Sequence, residues 1–168
     1  MRLFETKNLY VRYLKTEDQD AFYDMQSNPN VMRYIKKTMN FEESKKELDR
    51  FITYYTEDKT FYNIWAVVES ETQRFIGICG VYKNKHSEYE IAYRLRECFW
   101  RKGFGQEIAK ALISYCFDIM RLPELTAYVA KENVGSICIL EKEMKYIEES
   151  YAQKENILEQ KYKAYREY

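Results

Sequence analysis

The sequence predicts an α/β fold in one domain spanning 1–168: a mixed sheet with helices packed on both faces. Three observations carry this reading. Several runs show the two-residue alternation of half-buried strands. Apolar residues at Ile108, Ala109, Leu112, Ile113, Cys116, Phe117 and Met120 keep helical spacing. Strand-like and helix-like segments interleave along the chain, which calls for a mixed sheet rather than separate layers.

The elements follow in order. Residues 9–14 (Leu-Tyr-Val-Arg-Tyr-Leu) read as a first strand. Thr16, followed by acidic residues, looks like a helix start, with Ala21, Phe22 and Met25 on one face. Ser27-Asn28-Pro29-Asn30 interrupts the chain, and 31–35 reads as a short helix. A longer helix covers 41–55, with Leu48, Phe51, Ile52 and Tyr55 inward. Its charged stretch 42–50 reads as a solvated face. The period then changes. Segments 63–68 and 74–82 form an expected hairpin, and 88–96 is a fourth-strand candidate in which Tyr89, Ile91, Tyr93 and Leu95 alternate with Glu88, Glu90, Ala92 and Arg94. After a turn at 100–105 comes the clearest helix, closed by Pro123. Residues 125–130 give a fifth strand, 133–144 a helix, and 146–152 and 157–165 two last strands.

Composition narrows the function. The 168 residues carry 27 basic and 27 acidic side chains, so no broad polyanion such as nucleic acid is an expected partner. The four cysteines, Cys79, Cys98, Cys116 and Cys138, form no C-x-x-C pair and read as buried free thiols in a reducing compartment. One histidine, His86, is too little for a zinc site or a histidine-based triad, so no metal is expected. Residues 1–5 lack the apolar stretch of a signal peptide, and no run approaches the ~18 apolar residues of a membrane span. The expected location is the cytoplasm, with no membrane partner. Seventeen tyrosines, among them Tyr54, Tyr55, Tyr162, Tyr165 and Tyr168, read as amphipathic packing.

Two segments carry chemistry. Trp100-Arg101-Lys102-Gly103-Phe104-Gly105-Gln106 lies between a strand and a long helix. Its glycines permit a tight turn that leaves several N–H groups unpaired at the positive end of the helix. That is an anion site suited to a pyrophosphate, and Arg101 and Lys102 add charge. It fits neither the Walker loop nor the full dinucleotide fingerprint. Taken alone, it is equally a plain helix-starting turn. Asn133-Val134-Gly135-Ser136 opens the next helix. Asn133 and Ser136 read as ordinary capping residues or as ligand contacts facing one cleft.

In combination these segments resemble the GNAT acetyltransferases, and within them the branch of the ribosomal-protein N-terminal (alanine) acetyltransferases. Residues 4–12, Asn28-Pro29-Asn30-Val31-Met32, Phe75-Ile76-Gly77, Glu90-Ile91-Ala92-Tyr93-Arg94-Leu95, 100–105 and 133–142 match that family's order of motifs. Trp100 stands where many members have Gln or Arg. The resemblance implies a sheet splayed between the fourth and fifth predicted strands. It implies acetyl-CoA as co-substrate in the gap, its pantetheine arm against the backbone of Tyr93, Arg94 and Leu95. Its pyrophosphate would rest on the amides of Arg101, Lys102, Gly103, Phe104, Gly105 and Gln106, and Asn133 would contact the arm.

The implied reaction is acetyl transfer to a primary amine, of a peptide N-terminus or a small molecule. The same fold also serves polyamine and aminoglycoside acceptors, and a non-catalytic acyl-CoA-binding module is a further alternative. An alkyl amine near pKa ~10 must lose a proton at neutral pH. Glu90 is the candidate base, with Glu88 its rival, two residues away on the same strand face. Either carboxylate is also readable as a solvated strand edge. A backbone N–H of the fourth strand would receive the oxyanion. Ser136 matches the residue that assists the leaving thiolate, and its alternative is a hydroxyl bonded back to its own helix. The sequence departs from the family in two places. Leu140 stands where many members have a tyrosine acid, and Glu143-Met144-Lys145-Tyr146 lacks the usual glycine turn, which brings Tyr146 in as another donor. The resemblance leaves monomer and homodimer both open.

Overall fold

The computed structural model describes residues 1–167, and Tyr168 lies outside them. The strands are β1 (Arg2–Glu5), β2 (Leu9–Tyr13), β3 (Tyr62–Glu69), β4 (Phe75–Lys83), β5 (Tyr89–Leu95), β6 (Glu124–Ala130), β7 (Lys145–Ala152) and β8 (Ile157–Tyr165). The helices are α1 (Gln19–Ser27), α2 (Pro29–Met32), α3 (Phe41–Tyr54), α4 (Phe104–Asp118) and α5 (Val134–Glu143). One eight-stranded sheet runs β1-β2-β3-β4-β5-β6-β8-β7, the mixed α/β architecture expected. Every neighbouring pair is antiparallel except β5 and β6, which run parallel and share one registered bridge, Glu90 with Thr126. The sheet splays there.

Adjacent residues on β3 show how the two faces divide. Trp65 and Val67 turn toward α4, where they join Ile108, Leu112 and Cys116 in one core. Ile64 and Ala66 turn toward α1 and α3, where they join Phe22, Met25, Leu48 and Phe51 in the other. Burying such a side chain stabilises by about 1.5–3 kcal/mol, so both faces hold the sheet strongly. Ile76 is skipped in the register between Val67–Gly77 and Val68–Phe75, and this bulge shifts the alternation, so that Ile76 joins Cys79 and Val81 in the α4 core while Phe75 joins Ile78 in the other.

Local signals explain the departures from expectation. The strand β1 is four residues long, at the sheet edge and charged at both ends, so its alternation is too short to read. The first helix does not start at Thr16. Residues Thr16–Asp18 form a 3-10 turn, because the Asp18 carboxylate accepts the Lys15 amide at 2.9 Å and pairs with Arg12 at 2.8 Å. Asn28 caps the short helix by accepting from Asn30 N–H at 2.8 Å with Pro29 first inside, so that helix begins at Pro29 and ends at Met32. The charged stretch 42–50 is not wholly solvated: Ser44 and Glu47 are buried with Leu48. Cys79 and Cys116 are buried as expected, whereas Cys98 and Cys138 are exposed, and all four are free.

Candidate active site

A cleft of about 720 Å³ opens where β5 parts from β6. Tyr93, Arg94 and Leu95 form its floor, the start of α4 one wall, and the start of α5 another. Residues in 30–35 close it from the α1 and α3 face.

Backbone direction decides what the floor presents. Amide groups alternate sides along a strand. The Arg96 N–H bonds the Ile76 carbonyl at 2.8 Å, so Glu90, Ala92 and Arg94 turn their backbone groups toward β4. Ile91, Tyr93 and Leu95 turn theirs toward β6. The bridge at Glu90 and Thr126 is the one registered contact there, so the N–H and carbonyl of Tyr93 face the gap. The Leu95 carbonyl is taken by the Trp100 indole N–H at 3.0 Å. Arg94 therefore offers the cleft its side chain, not its backbone.

The turn before α4 has two residues in the left-handed region, Arg101 at φ 61° and Gly103 at φ 81°. The first helical bond runs from the Glu107 N–H to the Gly103 carbonyl at 3.1 Å. The N–H groups of Phe104, Gly105 and Gln106 precede it and have no acceptor within the helix. A Cβ added at Gly103 would meet nothing within 4 Å, so the turn is open on that side. Glu107 fixes the helix start: it accepts from Asn8 N–H at 2.9 Å, from Asn8 Nδ2 at 3.0 Å and from the Thr6 hydroxyl. Gln106 ties α4 to α5 through Glu143 at 2.9 Å. Arg101 and Gly103 to Gln106 all line the cleft. Lys102 does not: its ammonium stands 5.6 Å from the Phe99 ring centroid.

Asn133 caps α5, its Oδ1 accepting from Ser136 N–H at 3.3 Å, and also lines the cleft. The Ser136 hydroxyl is not bonded back to its helix among the described residues, and it borders the cleft beside Tyr93. Burial pushes the Tyr93 phenol up to about 12, against a weaker opposing pull from Ser136. The Tyr93 hydroxyl is shielded from solvent close to Ser136 and makes no regular hydrogen bond among the described residues. Tyr146 is half exposed on β7, edge-on to Tyr162, and does not line the cleft. Leu140 is buried in the core.

The two carboxylates differ. Burial pushes Glu90 above the usual carboxylate range, partly offset by hydrogen bonds from the Tyr82 hydroxyl and from Asn84 Nδ2 at 3.1 Å. Glu90 lies on the α1 and α3 face, two positions along β5 from Ala92, and is not itself in the cleft lining. Burial would raise Glu88 too, but hydrogen bonds from Lys161, Tyr128 and Asn84 outweigh it and hold the carboxyl at about 2. Its pairing with Lys161 at 2.6 Å makes Glu88 a poor proton acceptor.

A polar chain that the sequence did not announce runs beneath the cleft. Arg94 Nη1 donates to Gln26 Oε1 at 2.5 Å, and Gln26 Nε2 donates to Glu47 Oε2 at 3.0 Å. Glu47 is also paired with Lys36 at 2.8 Å and Arg50 at 3.0 Å. Burial lowers the Arg94 guanidinium, with Glu47 opposing. Cys138 borders the same cleft. Among the described residues, no group of three or more His, Cys, Asp or Glu side chains is placed to hold a metal ion, and no helix is long and apolar enough to cross a membrane.

A sheet opened between two parallel strands, with a glycine turn and a helix start beside the gap, defines an acyltransferase of the acetyl-transferring class. The chain belongs to the GNAT acetyltransferase family: residues 8–143 match the family described as Acetyltransferase (GNAT) domain. It is 28% identical over 144 residues to a Bacillus subtilis (strain 168) protein named as the uncharacterised N-acetyltransferase YoaA, covering 83% of this chain and 80% of that one. An acetyltransferase (GNAT family) from Bacillus anthracis superposes with a TM-score of 0.85 at 21% identity, covering 98% of each chain. A spermidine N-acetyltransferase from Vibrio cholerae, solved with CoA and spermine, gives 0.79 at 18% identity over 96% of this chain and 97% of that one. RimL, a ribosomal L7/L12 alpha-N-protein acetyltransferase solved with CoA, gives 0.82 at 12% over 99% and 98%.

Proposed function

We propose that the protein moves the acetyl group of acetyl-CoA to a primary amine, of a peptide N-terminus or a small molecule, in the cytoplasm. The carrying observation is that the outward backbone of Tyr93 and the unbonded amides of Phe104 to Gln106 open into one cleft. Acetyl-CoA supplies an activated acetyl thioester. An extended pantetheine arm fits the open edge of β5 as an added strand fits a sheet. The amides at the helix start fit a diphosphate, and Arg101 adds charge. Free thiols, two of them exposed, favour a reducing compartment.

The chain's own groups divide the remaining work. Glu90, held by Tyr82 and Asn84, takes the ammonium proton of the acceptor, directly or through one water. The Tyr93 N–H is the outward donor on the strand and receives developing negative charge on the carbonyl oxygen. The Ser136 hydroxyl donates to the departing thiolate, which at pKa ~8.5 needs only modest help. Nothing in the fold chooses between a ribosomal-protein terminus and a polyamine, since site chemistry rather than architecture selects the acceptor. The test is acetyl-CoA-dependent release of CoA thiol over a panel of peptide N-termini, polyamines, aminoglycosides and amino acids. Turnover with any primary amine upholds the reading, and binding of acetyl-CoA without turnover across the panel overturns it.

A further inference from the structure

We propose that the amine acceptor carries a carboxylate a few bonds from its amino group, and that Arg94 binds that carboxylate. The inference rests on the acetyl-transfer reading and names the acceptor class for it.

Arg94 is a half-buried cation that the protein answers with few of its own groups. A guanidinium has five N–H donors. Among the described residues it makes one hydrogen bond to protein, to Gln26. Nε is shut off from solvent without an acceptor, and among the described residues no carboxylate pairs with the group directly. Its compensation comes at one remove, through Gln26 to Glu47. That carboxylate already serves Lys36 and Arg50. Burying a cation on such terms is costly, and a fold that needed only packing at this position would do better with an apolar side chain. Arg94 nevertheless borders the cleft. A carboxylate arriving there can engage the planar guanidinium through two parallel bonds, the pairing this group suits best.

Position agrees. Glu90, Ala92 and Arg94 share one face of β5, and alternate residues stand about 7 Å apart. An amine held over Ala92, within reach of Glu90, sets a carboxylate two or three bonds away beside Arg94. Arg33, on the wall formed by 30–35, adds a second cation: it is exposed, lies 5.3 Å from the Tyr34 ring centroid and has no ion pair among the described residues. Glu132, beside Asn133 on the opposite wall, is the one carboxylate in the lining among the described residues. A polycation would therefore meet unpaired arginines where it needs acids.

The experiment compares free amino acids with their carboxamides and their decarboxylated amines, read as CoA thiol release, in wild type, Arg94→Met and Arg94→Lys. A second arm titrates N-acetyl amino acids and their N-methylamides into the CoA-bound protein by calorimetry, which needs no turnover. Wild type is expected to favour the acids by about 10- to 100-fold in kcat/KM. Arg94→Met should erase that preference through a raised KM for the acids, and Arg94→Lys should restore part of it. Equal use of acids and amides by wild type, or a preference that survives in Arg94→Met, overturns the proposal. Turnover without discrimination sinks the carboxylate and leaves acetyl transfer standing. Acid-selective binding, lost in Arg94→Met but without turnover, does the reverse. The acid-against-amide comparison on the unaltered protein decides the question even where a variant fails to fold.

Discussion

Glu88 Oε2 lies 2.6 Å from Lys161 Nζ, while Glu90, two residues on, has hydrogen bonds from Tyr82 and Asn84 but no ion pair among the described residues. Two carboxylates, one just before β5 and one on it, are thereby given opposite characters, one pinned as an anion and the other made more basic.

The first prediction follows from that contrast. Glu90→Gln is expected to lower turnover by about 10² to 10⁴ at neutral pH and to leave CoA affinity unchanged. The acid limb of kcat/KM should lie above that of an ordinary glutamate, because burial raises Glu90. The deficit should shrink as pH rises toward the amine's own pKa. A pH–rate profile checks both, and wild-type turnover in Glu90→Gln at pH 7 removes Glu90 as the base.

Glu88→Gln should do something different. The folded carboxyl, at about 2, lies below its unfolded value, so its stabilisation is present above the unfolded pKa and fades as pH falls through the folded one. The variant should lose about 1–3 kcal/mol at pH 7 with activity retained. The gap to wild type should narrow from about pH 4.5 downward and close near pH 2. Thermal melts across that range measure it.

Cofactor binding is tested at Gly103. Saturating acetyl-CoA at ~100 times its dissociation constant should add about 2.7 kcal/mol of stability. Gly103→Asp should weaken binding through charge and backbone strain at φ 81°, and Gly103→Asn, neutral and tolerant of that conformation, should weaken it less. Equal calorimetric affinities for the two variants would locate the diphosphate elsewhere.

The hydroxyls on the cleft separate by readout. Tyr93→Phe removes a buried hydroxyl without a partner, so the ligand-free protein should gain up to about 1 kcal/mol. Ser136→Ala should lower kcat about 10-fold while CoA affinity holds, since a bond to the thiolate forms only as the thiol departs. A Ser136→Ala enzyme with unchanged kcat rules that role out.

Thiol labelling maps the cleft independently. Cys98 and Cys138 are exposed and should react with iodoacetamide. Burial raises Cys79 and pushes Cys116 up to about 12, which keeps them inert. Acetyl-CoA should protect Cys138, which borders the cleft, and not Cys98. Mass spectrometry of the labelled peptides reads this directly.

Most elements were legible because each rests on a local period. Leu112 and Cys116 announce α4, and Ile91 and Leu95 announce β5, without knowledge of anything distant. The turn at Gly103 was legible for the same reason. What escaped depends on partners far along the chain. Glu47 looks solvated until Gln26, 21 positions earlier, is seen to reach it, and Arg94 looks like one more strand charge until Gln26, 68 positions away, accepts from it. The exposure of Cys98 and Cys138 was hidden likewise, because apolar neighbours in sequence do not decide which side of an element meets the cleft.

The bridge between Glu90 and Thr126 has a mechanical consequence. Five strands stand on one side of it and three on the other, and along the seam the two plates share almost none of the hydrogen bonding that stiffens the rest of the sheet. An extended ligand lying in the seam completes the sheet between them. Filling the seam is in that sense a last step of folding, and the Tyr93 amide, free to exchange with solvent before it, should be among the most slowed after it.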